Sequence, residues 1–225
     1  MRHIIDLAES GQHADTLIIL LPGAYQQPED FIKEGFVSAV RERKLTLDLV
    51  MAELSFSDIA DQSALPEIYS SLIQPALAAG YQHIWLAGIS IGGYMAIAYA
   101  DRYPDQLAGL LLLAPYPGNR MTTTEIAYAG GVEAWSPDTI PDEDTERGNW
   151  YWLKKHASMD DINLDKLEVH LAYGEGDRFA ESHLMMAQAL PTDHVDKIPG
   201  DHVWPVWLQL WHNFLDRRFV KHQHG

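Results

Sequence analysis

A serine hydroxyl becomes a nucleophile near neutral pH only when a base takes its proton and an acid orients that base. The chain carries these three residue types in three short stretches. They are Ser90 in Gly88-Ile89-Ser90-Ile91-Gly92, Asp177 in Gly174-Glu175-Gly176-Asp177, and His202 in Pro199-Gly200-Asp201-His202. Each stretch directly follows a run that reads as a strand. The spacing around Ser90 suits a tight turn between a strand and a helix, where a side chain at either glycine would collide. Such a turn strains the backbone at Ser90 and pushes its hydroxyl outward. It also sets the first free N–H groups of the helix, and the positive end of its dipole, beside that hydroxyl. The chemistry that fits is acyl transfer through a covalent intermediate whose oxyanion those amides hold. Glu175 is a rival for the acid, and Gly-Asp is also an ordinary turn dipeptide.

Strands must present these residues. Thr16 to Leu21 does not alternate and reads as a strand buried on both faces. Ile4 to Leu7, Leu45 to Leu54, the run before Ser90, Leu107 to Ala114, Val169 to Tyr173 and His194 to Ile198 read as further strands. Helices are expected from Pro28 to Arg43-Lys44, with acids first and bases last, and from Leu65 to Ala79, closed by Gly80. Others are expected after Ser90 as far as Pro104, at Glu181 to Leu190, and at Val203 to Phe219. Ser55 to Ser63 reads as a polar loop. Alternating strands and helices with continuous apolar strands indicate an α/β fold, a mostly parallel sheet covered by helices on both faces. Ligands of such sheets bind beyond the carboxyl ends of the strands. Residues 1–225 read as one domain, with 121–166 as a small cap-like insertion. Its Trp135, Trp150, Tyr151 and Trp152 are expected to wall a shallow pocket. Its acids, among them Asp138, Asp142, Glu143, Asp144 and Glu146, are expected to face solvent.

The 225 residues are 47% hydrophobic and 21% charged, enough for a substantial core. A net charge of −16 argues against nucleic acid and against anionic membrane surfaces as partners. The absence of cysteine removes disulfides, thiolate nucleophiles and Cys-ligated metals. Met1 to Glu9 is not a signal peptide, and the longest apolar run, Leu107 to Pro115, is too short to span a bilayer. A cytoplasmic protein is expected, with Lys221 to Gly225 a solvated end. Serine chemistry of this kind needs no metal or organic cofactor, and none is expected. Oligomeric state is not legible.

Taken together, the motifs resemble those of α/β-hydrolase-fold serine hydrolases of the small carboxylesterase type. Gly88 to Gly93 resembles the family's nucleophile elbow, Tyr173 to Phe179 its acid loop, and Gly200 to Trp204 with Trp207 its histidine loop. The order Ser90, Asp177, His202 is the family's order. Leu21-Pro22-Gly23-Ala24-Tyr25 stands where the family often has His-Gly before the oxyanion hole, with Pro22 replacing that His. The resemblance implies a carboxylesterase on a small, fairly neutral short-acyl ester, with Ser90 as nucleophile, His202 as base and Asp177 as its orienting acid. It implies an oxyanion hole from the N–H of Ile91 and that of Ala24 or Tyr25, and substrate contacts at Tyr116 and Trp204. A thioesterase or acyl-protein hydrolase would use the same triad, and a non-catalytic ligand-binding homologue would have lost one of its members.

Overall fold

The apolar runs assemble into one seven-stranded sheet in the order β1-β3-β2-β4-β5-β6-β7. The computed structural model describes residues 1–8, 14–60, 63–157 and 167–220. In chain order these hold β1 (His3–Asp6), β2 (Thr16–Leu21), α1 (Pro28–Lys33), α2 (Phe36–Glu42), β3 (Asp48–Ala52) and α3 (Phe56–Ala60). Then α4 (Ala64–Ile68) passes through a π-helical turn (Tyr69–Ile73) into α5 (Gln74–Ala79). Next come β4 (His83–Ile89), α6 (Ile91–Arg102), β5 (Gly109–Leu113), α7 (Arg120–Tyr128), α8 (Thr145–Ala157) and β6 (Glu168–Gly174). The chain closes with α9 (Ala180–Ala187), a 3₁₀ turn (Thr192–His194), β7 (Val195–Ile198), α10 (Trp204–Leu215) and a π-helical turn (Asp216–Val220).

Among the described strands only β1 runs antiparallel, against β3; the other pairings are parallel. The register lines up the carboxyl ends that matter. Leu21 pairs with Gly88, Ile89 with Leu113, Leu113 with Ala172, and Gly174 with Ile198. The stretches that follow β2, β4, β5, β6 and β7 therefore open along one edge of the sheet.

Ile18 to Leu21 and Leu110 to Leu113 are buried throughout, each such side chain contributing about 1.5–3 kcal/mol. This explains their lack of alternation: both faces are covered. Helix α6 is buried from Gly92 to Ala100, and its small residues, Gly93, Ala96, Ala98 and Ala100, allow that close approach. On another face, Trp211 stacks on Phe36 at 5.6 Å and donates its indole N–H to the Phe36 carbonyl at 3.0 Å.

The helix expected from Pro28 to Lys44 is two helices, because Gly35 takes φ 92° between them. Part of the expected Ser55–Ser63 loop forms α3; residues 61 and 62 lie outside the described residues. So do residues 158–166 of the expected insertion and the tail 221–225. Among the described residues, no helix is long and apolar enough to cross a membrane.

Candidate active site

The turn at Ser90 is dictated by two glycines. A Cβ on Gly88 would lie 2.3 Å from the Gly92 carbonyl, and a Cβ on Gly92 would lie 2.3 Å from the Leu21 oxygen. Only with both side chains absent can β4 fold straight into α6 against the end of β2. Ser90 takes φ 51°, ψ −112°, a strained region for a residue with a side chain. The strain is over-determined by hydrogen bonds. The Ser90 N–H donates to the Leu113 carbonyl at 3.0 Å, and the Ser90 carbonyl accepts from Tyr94 at 3.1 Å and from Tyr116 at 2.8 Å. Ile91 opens α6, so its N–H belongs to the first turn, where amides lack partners within the helix.

Asp177 and His202 meet directly. His202 Nδ1 lies 2.6 Å from Asp177 Oδ2, and the other carboxylate oxygen accepts the Phe179 N–H at 2.8 Å. Burial pushes the Asp177 carboxyl up, but the His202 hydrogen bond and the Phe179 N–H outweigh it and hold it below its usual range. An ionised carboxylate only accepts, so Nδ1 carries the proton and Nε2 of neutral His202 keeps its lone pair. The two loops are pinned to each other by backbone: the Glu175 N–H reaches the Ile198 carbonyl and the Gly176 N–H the Gly200 carbonyl, both at 2.8 Å. Glu175, the rival acid, is exposed and paired with Lys197 at 3.3 Å.

Aromatic rings run from the residue that holds the Ser90 carbonyl to His202. Tyr116, whose N–H holds the Ser90 carbonyl, has its ring 5.8 Å from Phe179, and Phe179 lies 5.5 Å from His202. Trp207 packs edge-on against His202 at 4.9 Å, whereas Trp204 packs against Phe31 and Phe36, each at 5.6 Å. Among the described residues the Ser90 hydroxyl has no hydrogen-bond partner. Catalytic hydrogen bonds in enzymes without substrate are often long and tighten on binding. His183, fully buried, hydrogen-bonds to the Pro115 carbonyl at 2.9 Å and so braces the residue before Tyr116. Burial holds its imidazole below the usual histidine range.

Phe179 and Glu146 are parts of this site that sequence reasoning missed. Phe179 carries only the weak signal of standing two residues after Asp177. Glu146 was expected to face solvent. It turns inward instead and accepts from the Asn119 N–H at 2.9 Å and the Thr122 hydroxyl at 3.0 Å. Burial, together with the charge of Glu146 and a hydrogen bond to it, raises the Tyr116 hydroxyl above its usual range. Trp135, Trp150 and Trp152 are likewise buried rather than walls of a pocket. Trp150 donates to the Pro117 carbonyl at 2.7 Å and Trp135 to Glu125 at 2.9 Å. Their N–H groups have structural partners, as buried indoles require. A cavity of about 780 Å³ runs beside α6, past Tyr94, Ala98, Tyr103, Ile140 and Tyr151, and does not include Ser90, Asp177 or His202.

Glu168, His170 and His194 bring possible metal-ligating atoms within 4.8 Å of one another. The two imidazoles, however, stack at 4.3 Å and 20°, so their in-plane lone pairs run side by side instead of converging on one ion. Arg218 also donates to the Glu168 carboxylate at 2.9 Å.

The sheet order, the strand–Ser–helix turn and the loops after β6 and β7 define an α/β-hydrolase fold. Residues 71–210 match the Esterase family, described as "Putative esterase", and the chain belongs to that family. It is thereby placed among ester hydrolases. Solved structures share the fold at low identity. Est1E from Butyrivibrio proteoclasticus is 18% identical with a TM-score of 0.66, covering 99% of this chain and 94% of that one. S-formylglutathione hydrolase (FrmB) from Staphylococcus aureus is 18% identical with a TM-score of 0.62, covering 91% and 80%. FphF, a fluorophosphonate-binding serine hydrolase of Staphylococcus aureus, is 16% identical with a TM-score of 0.66, covering 96% and 91%. No curated protein matches the chain.

Proposed function

We propose that the chain is a serine carboxylesterase that cleaves a small, fairly neutral short-acyl ester through an acyl-enzyme on Ser90. The observation that carries this reading is the 2.6 Å pairing of His202 Nδ1 with Asp177. It leaves Nε2 as a base on the strand-end edge where the strained Ser90 stands. Ser90 Oγ attacks the ester carbonyl while His202 Nε2 takes its proton. Asp177 stabilises the imidazolium that forms. The N–H of Ile91 and that of Ala24 or Tyr25 hold the oxyanion, where one donor is worth about 2.7–4 kcal/mol. His202 then gives the proton to the leaving alcohol, and water, activated by the same imidazole, releases the acid. Tyr116 and Trp204 are assigned to the substrate side, and residues 121–166 are read as a small cap-like part of a single domain. The substrate is a small molecule, and no metal or organic cofactor takes part.

The test is a panel of acyl esters from acetate to palmitate, with matched thioesters and amides. A well-buried methylene is worth about 0.8 kcal/mol, so kcat/KM is expected to rise over the first few carbons and then fall. A maximum at long chains would contradict the short-acyl reading. Turnover of thioesters alone would move the assignment to a thioesterase with the same triad.

A further inference from the structure

Tyr25 is spent in an unusual way. The Gln26 N–H reaches back to the Gly23 carbonyl at 3.2 Å, closing a turn, and the Gln26 side chain accepts the Gly23 N–H at 2.7 Å. In that turn Tyr25, and not Ala24, has a positive φ, 63°. A turn of this shape calls for glycine or asparagine at that position. The chain places a tyrosine there, and burial does not repay the strain: Tyr25 is 89% exposed. Among the described residues its hydroxyl has no hydrogen-bond partner. Among the described residues its ring meets only Phe56, at 4.9 Å and 48°, and Phe56 is itself 47% exposed.

The location gives this pair a purpose. Tyr25 follows β2 and Phe56 follows β3, so both stand at carboxyl strand ends. The sheet order β3-β2-β4 puts them on the side of Ser90 opposite to Asp177 and His202. Strands are spaced by about 4.8 Å, so the strands that lead to Tyr25 and Phe56 lie one and two strand spacings from the strand that carries Ser90. The close approach of Leu21 to Gly92 fixes the loop bearing Tyr25 against the first turn of α6. Of the four non-glycine residues with positive φ among the described residues, three, Tyr25, Ser90 and Ala114, directly or closely follow the strands around Ser90. Strain gathered at one edge marks a functional surface.

We propose that Tyr25 and Phe56 form an aromatic platform that stacks a flat aromatic group of the ester, on its acyl or its alcohol side. This rests on the esterase reading and adds a substrate class to it. A neutral ring needs no charged partner, in keeping with two rings that offer faces and no ion pair.

The experiment compares two matched pairs on the purified protein. Benzyl acetate against cyclohexylmethyl acetate places the ring on the alcohol side. Methyl phenylacetate against methyl cyclohexylacetate places it on the acyl side. Within each pair, the leaving group and the carbonyl differ little in reactivity. One aromatic member is expected to exceed its saturated partner in kcat/KM by about three- to ten-fold, the value of one ring contact. The pair that shows the preference identifies the side. Phe56→Leu keeps apolar bulk without a ring, and Tyr25→Asn suits the positive φ without one. Both are expected to bring the ratio close to unity, with Tyr25→Asn melting no lower than the wild type. Equal rates within both pairs, or a preference that survives both substitutions, would overturn the platform while Ser90-dependent turnover upholds the esterase reading. No Ser90-dependent turnover of any of the four esters would overturn that reading and the platform with it.

Discussion

The strands β6 and β7 carry a histidine and a carboxylate at each end, and the two ends are built for opposite purposes. At the carboxyl end, Asp177 is shared between the His202 ring and a backbone N–H, with no Lys or Arg on it among the described residues. At the amino end, Glu168 is divided between His170 at 2.6 Å and Arg218 at 2.9 Å. There His170 stacks on His194, which spends its Nδ1 on the Val169 carbonyl at 3.1 Å. The carboxyl end keeps a ring nitrogen available and lies on the same strand-end edge as the strained Ser90. The amino end closes its groups on one another and faces the packed rings of Trp85 and Phe214. Residue types alone do not distinguish these clusters; the partners left free do.

The largest expected effect separates the two ends by activity. Asp177→Asn is expected to lower kcat by about 10⁴-fold, by leaving His202 in the wrong tautomer. Glu168→Gln is expected to change kcat by less than about two-fold. Equal losses would mean that the comparison is drawn wrongly. Stability reverses the order. Glu168→Gln leaves His170 and Arg218 with a weaker partner and is expected to cost about 1–3 kcal/mol in denaturant unfolding, with turnover per folded molecule preserved.

Acidity tests both ends together. His183 and His170 are each held below the usual histidine range, by burial first of all. The unfolded chain takes up those protons before the folded one does, so stability is expected to fall as pH drops below about 6.5. Asp177 and Glu168 act in the same sense at lower pH, being held below the usual carboxylate range despite burial. Their contribution is present above about pH 4 and is lost as pH falls through their folded values. Melting temperature against pH should show both stages. His183→Gln, which can still donate to Pro115, should flatten the upper stage. An unchanged slope between pH 6.5 and 5 would contradict the neutral assignment.

The smallest expected effect concerns Glu146. Glu146→Ala, which removes the acceptor, and Tyr116→Phe, which removes the donor, are each expected to lower kcat/KM by about two- to ten-fold, the worth of one hydrogen bond. The double variant should be no worse than the poorer single one, because both remove the same bond. Additive losses would show that the two residues act independently.

Much of this site was legible before any coordinates. Continuous apolar runs gave Thr16 to Leu21 with its observed bounds, since burial on both faces leaves no alternation to blur. The Gly88–Gly92 spacing pointed to the elbow because the close approaches are local to the turn. Asp177 and His202 were readable from their place after strands. What escaped depends on contacts between distant parts of the chain. Glu146 turns inward because Asn119, 27 residues earlier, presents an N–H to it. Trp150 is buried because the Pro117 carbonyl, 33 residues away, needs its indole. Gly35 interrupts a helix that the charge pattern ran through, since amphipathic spacing is insensitive to one positive φ. Phe179 was hidden because its role lies between two rings contributed by other strands.

The assignment of Ser90 is tested most directly by a fluorophosphonate probe on the purified protein, followed by intact mass and peptide mapping. One adduct per chain is expected, on Ser90, with activity lost in step with labelling. Ser90→Ala should neither label nor turn over esters above the residual level left by the binding groups. An adduct on another residue, or esterase activity that survives Ser90→Ala, would contradict the assignment.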